Sequence, residues 1–151
     1  MLNENQKCPD IQLDNQNGEC VSFSDYLGKK IVLYIYPKDD TPGCTIEAQE
    51  FSALLEKFQE KNTHIFGLSK DSTKKHESFC KKYNLSVDLL SDPEGELIDA
   101  LGAWQEKNMY GRKYMGIVRT TYLLNEEGKV EKIWEKVKAK GHAQEILDYI
   151  S

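Results

Sequence analysis

The chain of 151 residues contains no CxxC pair, and its three histidines (64, 76 and 142) stand far apart. A structural zinc site needs thiolates and imidazoles at short spacings, so none is expected. A thioredoxin-like disulfide reductase would lack its working pair. It would also lack the proline that opens the strand beside such a site, because the four prolines are 9, 37, 42 and 93. No basic run exceeds two residues and the formal net charge is −5, which argues against a nucleic-acid partner and gives no support to a membrane-surface role. No apolar stretch approaches the length of a membrane span, and the first six residues are polar without a signal core. A cytoplasmic protein is therefore expected, with its four cysteines (8, 20, 44 and 80) reduced at rest. There is no repeat, linker or low-complexity tract, and the length suits one domain over 1–151 with one buried core.

What the chain does have is an alternation of strand and helix patterns. Ile11 to Phe23 reads as a hairpin around Asn17-Gly18, followed by a helical turn over Ser24–Gly28. Lys30–Tyr36 is β-branched and aromatic, a buried strand, and Thr41 to about Lys61 is the first long helix, with Ile46, Ala48, Phe51, Leu54, Leu55 and Phe58 as its apolar set. Further strands are expected at His64–Ser69 and Val87–Leu90, and helices at Ser72–Tyr83 (capped by Ser72) and Glu96–Leu101. Ile117–Leu124 and Val130–Val137 form a second hairpin, and His142–Ile150 is the last helix. This order implies an α/β fold, a central mixed β-sheet flanked by helices with an N-terminal β-hairpin. Trp104–Met115 is read as a long loop, either an apolar rim to a site or ordinary packing.

One position combines several chemical signals. The segment Tyr36-Pro37-Lys38-Asp39-Asp40-Thr41-Pro42-Gly43-Cys44-Thr45 leads from a buried strand into a helix. Thr41 suits the N-cap and Pro42 the first helical position, which makes Cys44 third in the helix, near N–H groups with no helical acceptor. Gly43 keeps the approach clear, and Pro37 stiffens the loop and can screen the sulfur. Free cysteines are mostly packed hydrophobes. The cap, the two prolines and the glycine together favour a reactive thiolate instead.

These residues carry a resemblance. Pro37 to Cys44 matches the peroxiredoxin pattern Pro-x-x-x-Thr/Ser-x-x-Cys, and Thr41-Pro42-Gly43-Cys44-Thr45 resembles the Q-type subgroup, the bacterioferritin comigratory proteins. The likeness continues through Pro9-Asp10, Asp14–Gly18, Leu89-Leu90-Ser91-Asp92-Pro93, Gly102, Trp104, Gly111 and Gly116–Thr121. It implies a thioredoxin-like fold and reduction of hydrogen peroxide and alkyl hydroperoxides. Cys44 would be the peroxidatic cysteine, and Pro37, Thr41 and Arg119 would complete the site. It implies no metal or cofactor.

In such a reaction a thiolate attacks the O–O bond and becomes a sulfenic acid. Lowering a thiol pKa from about 8.5 to about 6 raises the thiolate fraction roughly 30-fold at pH 7, but lost nucleophilicity returns roughly 10-fold of that. Most of the acceleration must come from donors that stabilise the departing oxygen. Arg119 supplies a charged fork of N–H groups, Thr41 accepts from the peroxide or donates to sulfur, and the backbone of Gly43 and Cys44 holds the other oxygen. Glu47, one turn past Cys44, either pairs with Arg119 or faces solvent.

Many Q-type relatives place a second, resolving cysteine five residues after the first; here that position is Gln49. Others carry it on the next helix, where Cys80 lies, 36 residues beyond Cys44. The resemblance thus implies a Cys44–Cys80 disulfide, with unwinding at one or both helix ends, and reduction by thioredoxin or a similar dithiol protein. Cys8, Cys20 or an external thiol remain as other resolvers. Relatives of this type are often monomers. The chain lacks Gly-Gly-Leu-Gly and a C-terminal Tyr-Phe, so resistance to overoxidation is expected. A one-shot redox sensor using the same thiol, and a cysteine hydrolase with a histidine partner, are the other readings carried forward.

Overall fold

The computed structural model describes residues 2–151. Among them the chain forms strands β1 (Leu13–Asp14), β2 (Cys20–Val21), β3 (Lys30–Ile35), β4 (Thr63–Ser69), β5 (Asp88–Ser91), β6 (Trp104–Met109), β7 (Arg112–Ile117), β8 (Thr120–Leu124) and β9 (Val130–Trp134). The helices are α1 (Pro42–Ala53), α2 (Leu55–Glu60), α3 (Thr73–Tyr83), α4 (Glu96–Ala100) and α5 (His142–Ile150), with a 3-10 turn at Phe23–Tyr26. Seven strands make one mixed sheet in the order β2-β1-β5-β4-β3-β8-β9. β3, β4 and β5 run parallel, and β8 and β1 pair antiparallel to β3 and β5.

Alternation along β3 sorts the core onto two faces. Ile31, Leu33 and Ile35 join Phe66, Leu68, Leu97 and Ile98 on one side, under α4. Val32, Tyr34 and Tyr36 join Cys44, Phe51, Phe58, Phe79 and Ile146 on the other, under α1, α2, α3 and α5. Gly67 makes room on this second face. A Cβ there would stand 2.8 Å from Tyr34 and 2.7 Å from Leu89. The Tyr34 ring lies across that gap and stacks on Phe51 of α1 at 4.5 Å between centroids. This stack sets α1 onto the sheet with Cys44 at its buried end.

The mixed sheet with helices on both faces and the first hairpin match the expectation from sequence. Four details differ. The first long helix breaks at Leu54, whose backbone leaves the helical region (ψ 4°) with neither glycine nor proline to announce it. The inward stripe of α1 is Cys44, Glu47, Ala48 and Phe51, so Ile46 is turned outward, 40% exposed. Trp104–Met115 is no loop. It is most of a separate hairpin, β6 with β7, turned at Tyr110-Gly111, where both residues have positive φ (53° and 79°). Finally, the strand expected over Ile117–Leu124 is two strands, β7 and β8, with Val118 and Arg119 between them. The Val118 N–H donates to Ala103 O at 2.8 Å and Arg119 O accepts from the Val137 N–H at 3.0 Å, so the crossing from hairpin to main sheet is fixed on both sides.

Candidate active site

Cys44 is the third residue of α1 and 1% exposed. Thr41 holds the N-cap position with extended backbone (φ −100°, ψ 155°), and its carbonyl accepts the Thr45 N–H at 2.9 Å. Its hydroxyl does not cap. It donates to Lys38 O at 2.9 Å, closing the loop on itself. The hydroxyl hydrogen is thus spent, and what Thr41 offers the site is acceptor lone pairs. Pro37 is half-buried at the exit from β3.

Arg119 comes to Cys44 from the β7–β8 crossing. Its Nη2 donates to Cys44 Sγ at 3.3 Å and its Nη1 donates to Glu47 Oε1 at 2.6 Å. Glu47 therefore pairs with Arg119 and is fully buried, one helical turn from the sulfur. Burial pushes the Glu47 carboxyl up to about 7, against the opposing pull of Arg119. Its Oε2 has no hydrogen-bond partner among the described residues. Burial also works against the Arg119 charge, but Glu47 and Cys44 beside it outweigh this and hold the guanidinium above its ordinary value. Gly43 makes the approach possible. A Cβ at that position would lie 3.2 Å from Arg119 Nη2.

Cys80 lies on α3, half-buried at the edge of the same apolar cluster that contains Cys44. Burial, then the negative charges of Asp39 and Asp88, push its thiol up to about 11. Cys8 is buried among the other core residues and pushed up to about 12 by burial and Asp10, whereas Cys20 is exposed on β2. All four thiols are unpaired in this structure. None of the histidines bonds to Cys44: His64 meets Asp88, His76 meets Asp39 and His142 meets Thr121. A Cys–His hydrolase pair is therefore not formed.

The structure thus brings Thr41, Gly43, Cys44 and Arg119 together, adds Glu47, and leaves Cys80 on the neighbouring helix. It also shows a buried cluster that the sequence reading passed over. Tyr36 Oη donates to Asp39 Oδ1 at 2.5 Å, and His76 Nδ1 lies 2.6 Å from Asp39 Oδ2. The signal for His76 was its spacing: it stands three, four and seven residues before Phe79, Cys80 and Tyr83, on the same helical face.

An arginine thus lies against a buried thiol at a helix N-terminus, and comparison with known proteins gives the family. The AhpC/TSA family profile matches residues 5–133. Peroxiredoxin Bcp of Bacillus subtilis is 49% identical over 142 residues, covering 94% of this chain and 90% of that protein. A structure of Xanthomonas campestris bacterioferritin comigratory protein, solved in a study of its alkyl peroxide reduction activity, has a TM-score of 0.91 at 38% identity, covering 98% of this chain and 97% of that one. X. campestris Peroxiredoxin Q, solved in two variants that each carry serine in place of one cysteine, also has a TM-score of 0.91 at 39% identity, covering 97% of this chain and 96% of that one. The chain belongs to the AhpC/TSA family and, within it, to the peroxiredoxins of the Bcp or Q type.

Proposed function

We propose that Cys44 is the peroxidatic residue of this peroxiredoxin and that it reduces hydrogen peroxide and alkyl hydroperoxides. The observation that carries the reading is the 3.3 Å contact from Arg119 Nη2 to Cys44 Sγ at the start of α1. A guanidinium in that place stands ready to donate to the oxygen that leaves. The thiolate attacks one peroxide oxygen and the O–O bond breaks. Cys44 becomes a sulfenic acid, and the other oxygen departs as hydroxide or alkoxide and takes a proton to form water or alcohol. Thr41 accepts from the peroxide hydroxyl, since its own hydrogen is engaged with Lys38 O. Helix geometry leaves the N–H groups of Gly43 and Cys44 free to hold the second oxygen. Pro37 stiffens the loop that carries these groups.

In the second half-reaction the Cys80 thiol gives up its proton and the thiolate attacks the Cys44 sulfenic acid; the disulfide forms, the S–O bond breaks, and the departing hydroxide takes up a proton to leave as water. The two X. campestris Peroxiredoxin Q variants support this choice, because their replaced cysteines are 36 positions apart, the separation of Cys44 and Cys80. A thiol raised to about 11 is a poor nucleophile where it stands, so opening of α3 into water accompanies the step. A thioredoxin-like dithiol protein then reduces the disulfide. The reading extends to a cytosolic monomer, on the family resemblance.

The test is a thiol count with peptide mapping after one equivalent of peroxide. Loss of two thiols with a linked Cys44–Cys80 peptide is expected. Loss of one thiol, held as a sulfenic acid or joined to an added thiol, would replace Cys80 by an external resolver.

A further inference from the structure

The loop from Pro37 to Thr41 is fastened to α3 through Asp39. This carboxylate is buried and matched on every side: Tyr36 Oη donates to Oδ1 at 2.5 Å, and His76 Nδ1 meets Oδ2 at 2.6 Å. The Asp39 N–H donates to Asp71 Oδ2 at 2.9 Å. His76 is fully enclosed, one helical turn before Cys80. Its Nε2 lies 2.9 Å from Leu90 O on β5. A carbonyl oxygen only accepts, so Nε2 bears a hydrogen; the short contact on the other side then needs a proton between Nδ1 and Oδ2. His76 therefore makes two short, separable contacts, with Tyr36 Oη also 3.5 Å from Nδ1. Nε2 ties α3 to β5, and Nδ1 ties the active-site loop to α3. A second tie, Lys82 and Tyr83 to Asp40 at 2.7 and 2.6 Å, lies in solvent and is correspondingly weak.

The loop carries Thr41 and leads into Cys44, while α3 carries Cys80. A disulfide needs the two Cα atoms within about 7 Å. The Asp39–His76 contact joins the loop that leads to Cys44 directly to the helix that carries Cys80. We propose that His76 is a positioning residue that separates the two half-reactions. With Nδ1 on Asp39, the loop holds the site in the arrangement that meets peroxide. Rupture of that one contact is the event that lets Cys80 reach the oxidised Cys44. The proposal rests on the reading of Cys80 as resolver.

Two substitutions divide the bonds. His76→Asn keeps a donor where Nδ1 was and loses the bond to Leu90. His76→Gln keeps a donor where Nε2 was and loses the bond to Asp39. Quenched-flow mass spectrometry after one peroxide equivalent gives the rates of sulfenic acid and disulfide formation for each. The expected result is a disulfide-to-sulfenate rate ratio raised about tenfold or more in His76→Gln, the scale of one lost hydrogen bond to a charged group. In His76→Asn the ratio stays within about threefold of the parent, a shift of well under one such bond. A residue that merely supports the core would shift both variants alike. Asp39→Ala cuts the same contact from the loop side and replaces His76→Gln if that variant does not fold. Equal ratios in the variants, with a Cys44–Cys80 peptide present in the parent, overturn the role of His76 alone. Absence of that peptide from the parent overturns the resolving role of Cys80 and this proposal with it.

Discussion

Arg119 holds Glu47 with one guanidinium nitrogen, at 2.6 Å, and touches Cys44 with the other, at 3.3 Å. The buried carboxyl anchors the fork so that its second tine points at sulfur. A lysine has one nitrogen and cannot occupy both positions. Arg119→Ala is expected to slow Cys44 oxidation by about 10²–10³-fold, the cost of one lost donor to a developing oxyanion. Arg119→Lys should recover only part of this. Stopped-flow oxidation rates, with circular dichroism to confirm folding, check both. An unchanged rate in Arg119→Ala would remove the arginine from the chemistry.

Glu47 gives the protein a pH-dependent term. Its carboxyl is raised to about 7 by burial, above an ordinary value of 4.5. The folded chain therefore holds this proton more tightly than the unfolded chain does. The stabilisation is complete below pH 4.5 and disappears as pH rises through about 7. Against Glu47→Gln, which does not titrate, the native protein should lose on the order of 1–3 kcal/mol between pH 4.5 and 8. Urea unfolding of both proteins at the two pH values measures this. A constant difference would show that the carboxyl stays ionised throughout.

Gly43→Ala should separate stability from activity. The residue is helical within α1, so alanine costs the backbone nothing and can add up to about 1 kcal/mol. Its Cβ would sit 3.2 Å from Arg119 Nη2 and press the guanidinium away from the sulfur. Thermal unfolding should hold or rise slightly, while peroxide reduction falls about tenfold, the low end of one hydrogen bond to a charged group. A fall in both would mean that the substitution disturbs the helix rather than the arginine.

The three thiols other than Cys44 should react in a fixed order. Cys20 is exposed, whereas Cys80 and Cys8 are pushed up to about 11 and about 12. At pH 8 a maleimide or iodoacetamide should label Cys20 before Cys80, and Cys8 last. Peptide mapping over time follows each site. Labelling of Cys80 as fast as Cys20 would mean that α3 is already open in the reduced protein.

Much of this was legible in the sequence because it rests on local rules. Thr41-Pro42-Gly43-Cys44 is helix-start chemistry, and the Lys30–Tyr36 run reads as a buried strand whatever surrounds it. The β6–β7 hairpin was not legible, since its turn is Tyr110-Gly111 rather than Asn-Gly and its strands are largely polar and exposed. The register of α1 was misread at Ile46 for a different reason. Glu47 takes the inward position because Arg119, 72 residues away, neutralises it there, and a hydrophobic pattern prices that carboxylate as surface. The tie from Asp39 to His76, 37 residues on, is of the same kind, visible only once α3 is packed on the sheet.

The most direct measurement of the central claim is peroxide consumption by Cys44→Ser beside the native protein, with a dithiol reductant in excess and thiols counted at the end. The account predicts that consumption falls to the rate of the reductant alone, although the variant folds and keeps Arg119 and Glu47. Peroxide loss at the native rate in Cys44→Ser would contradict it.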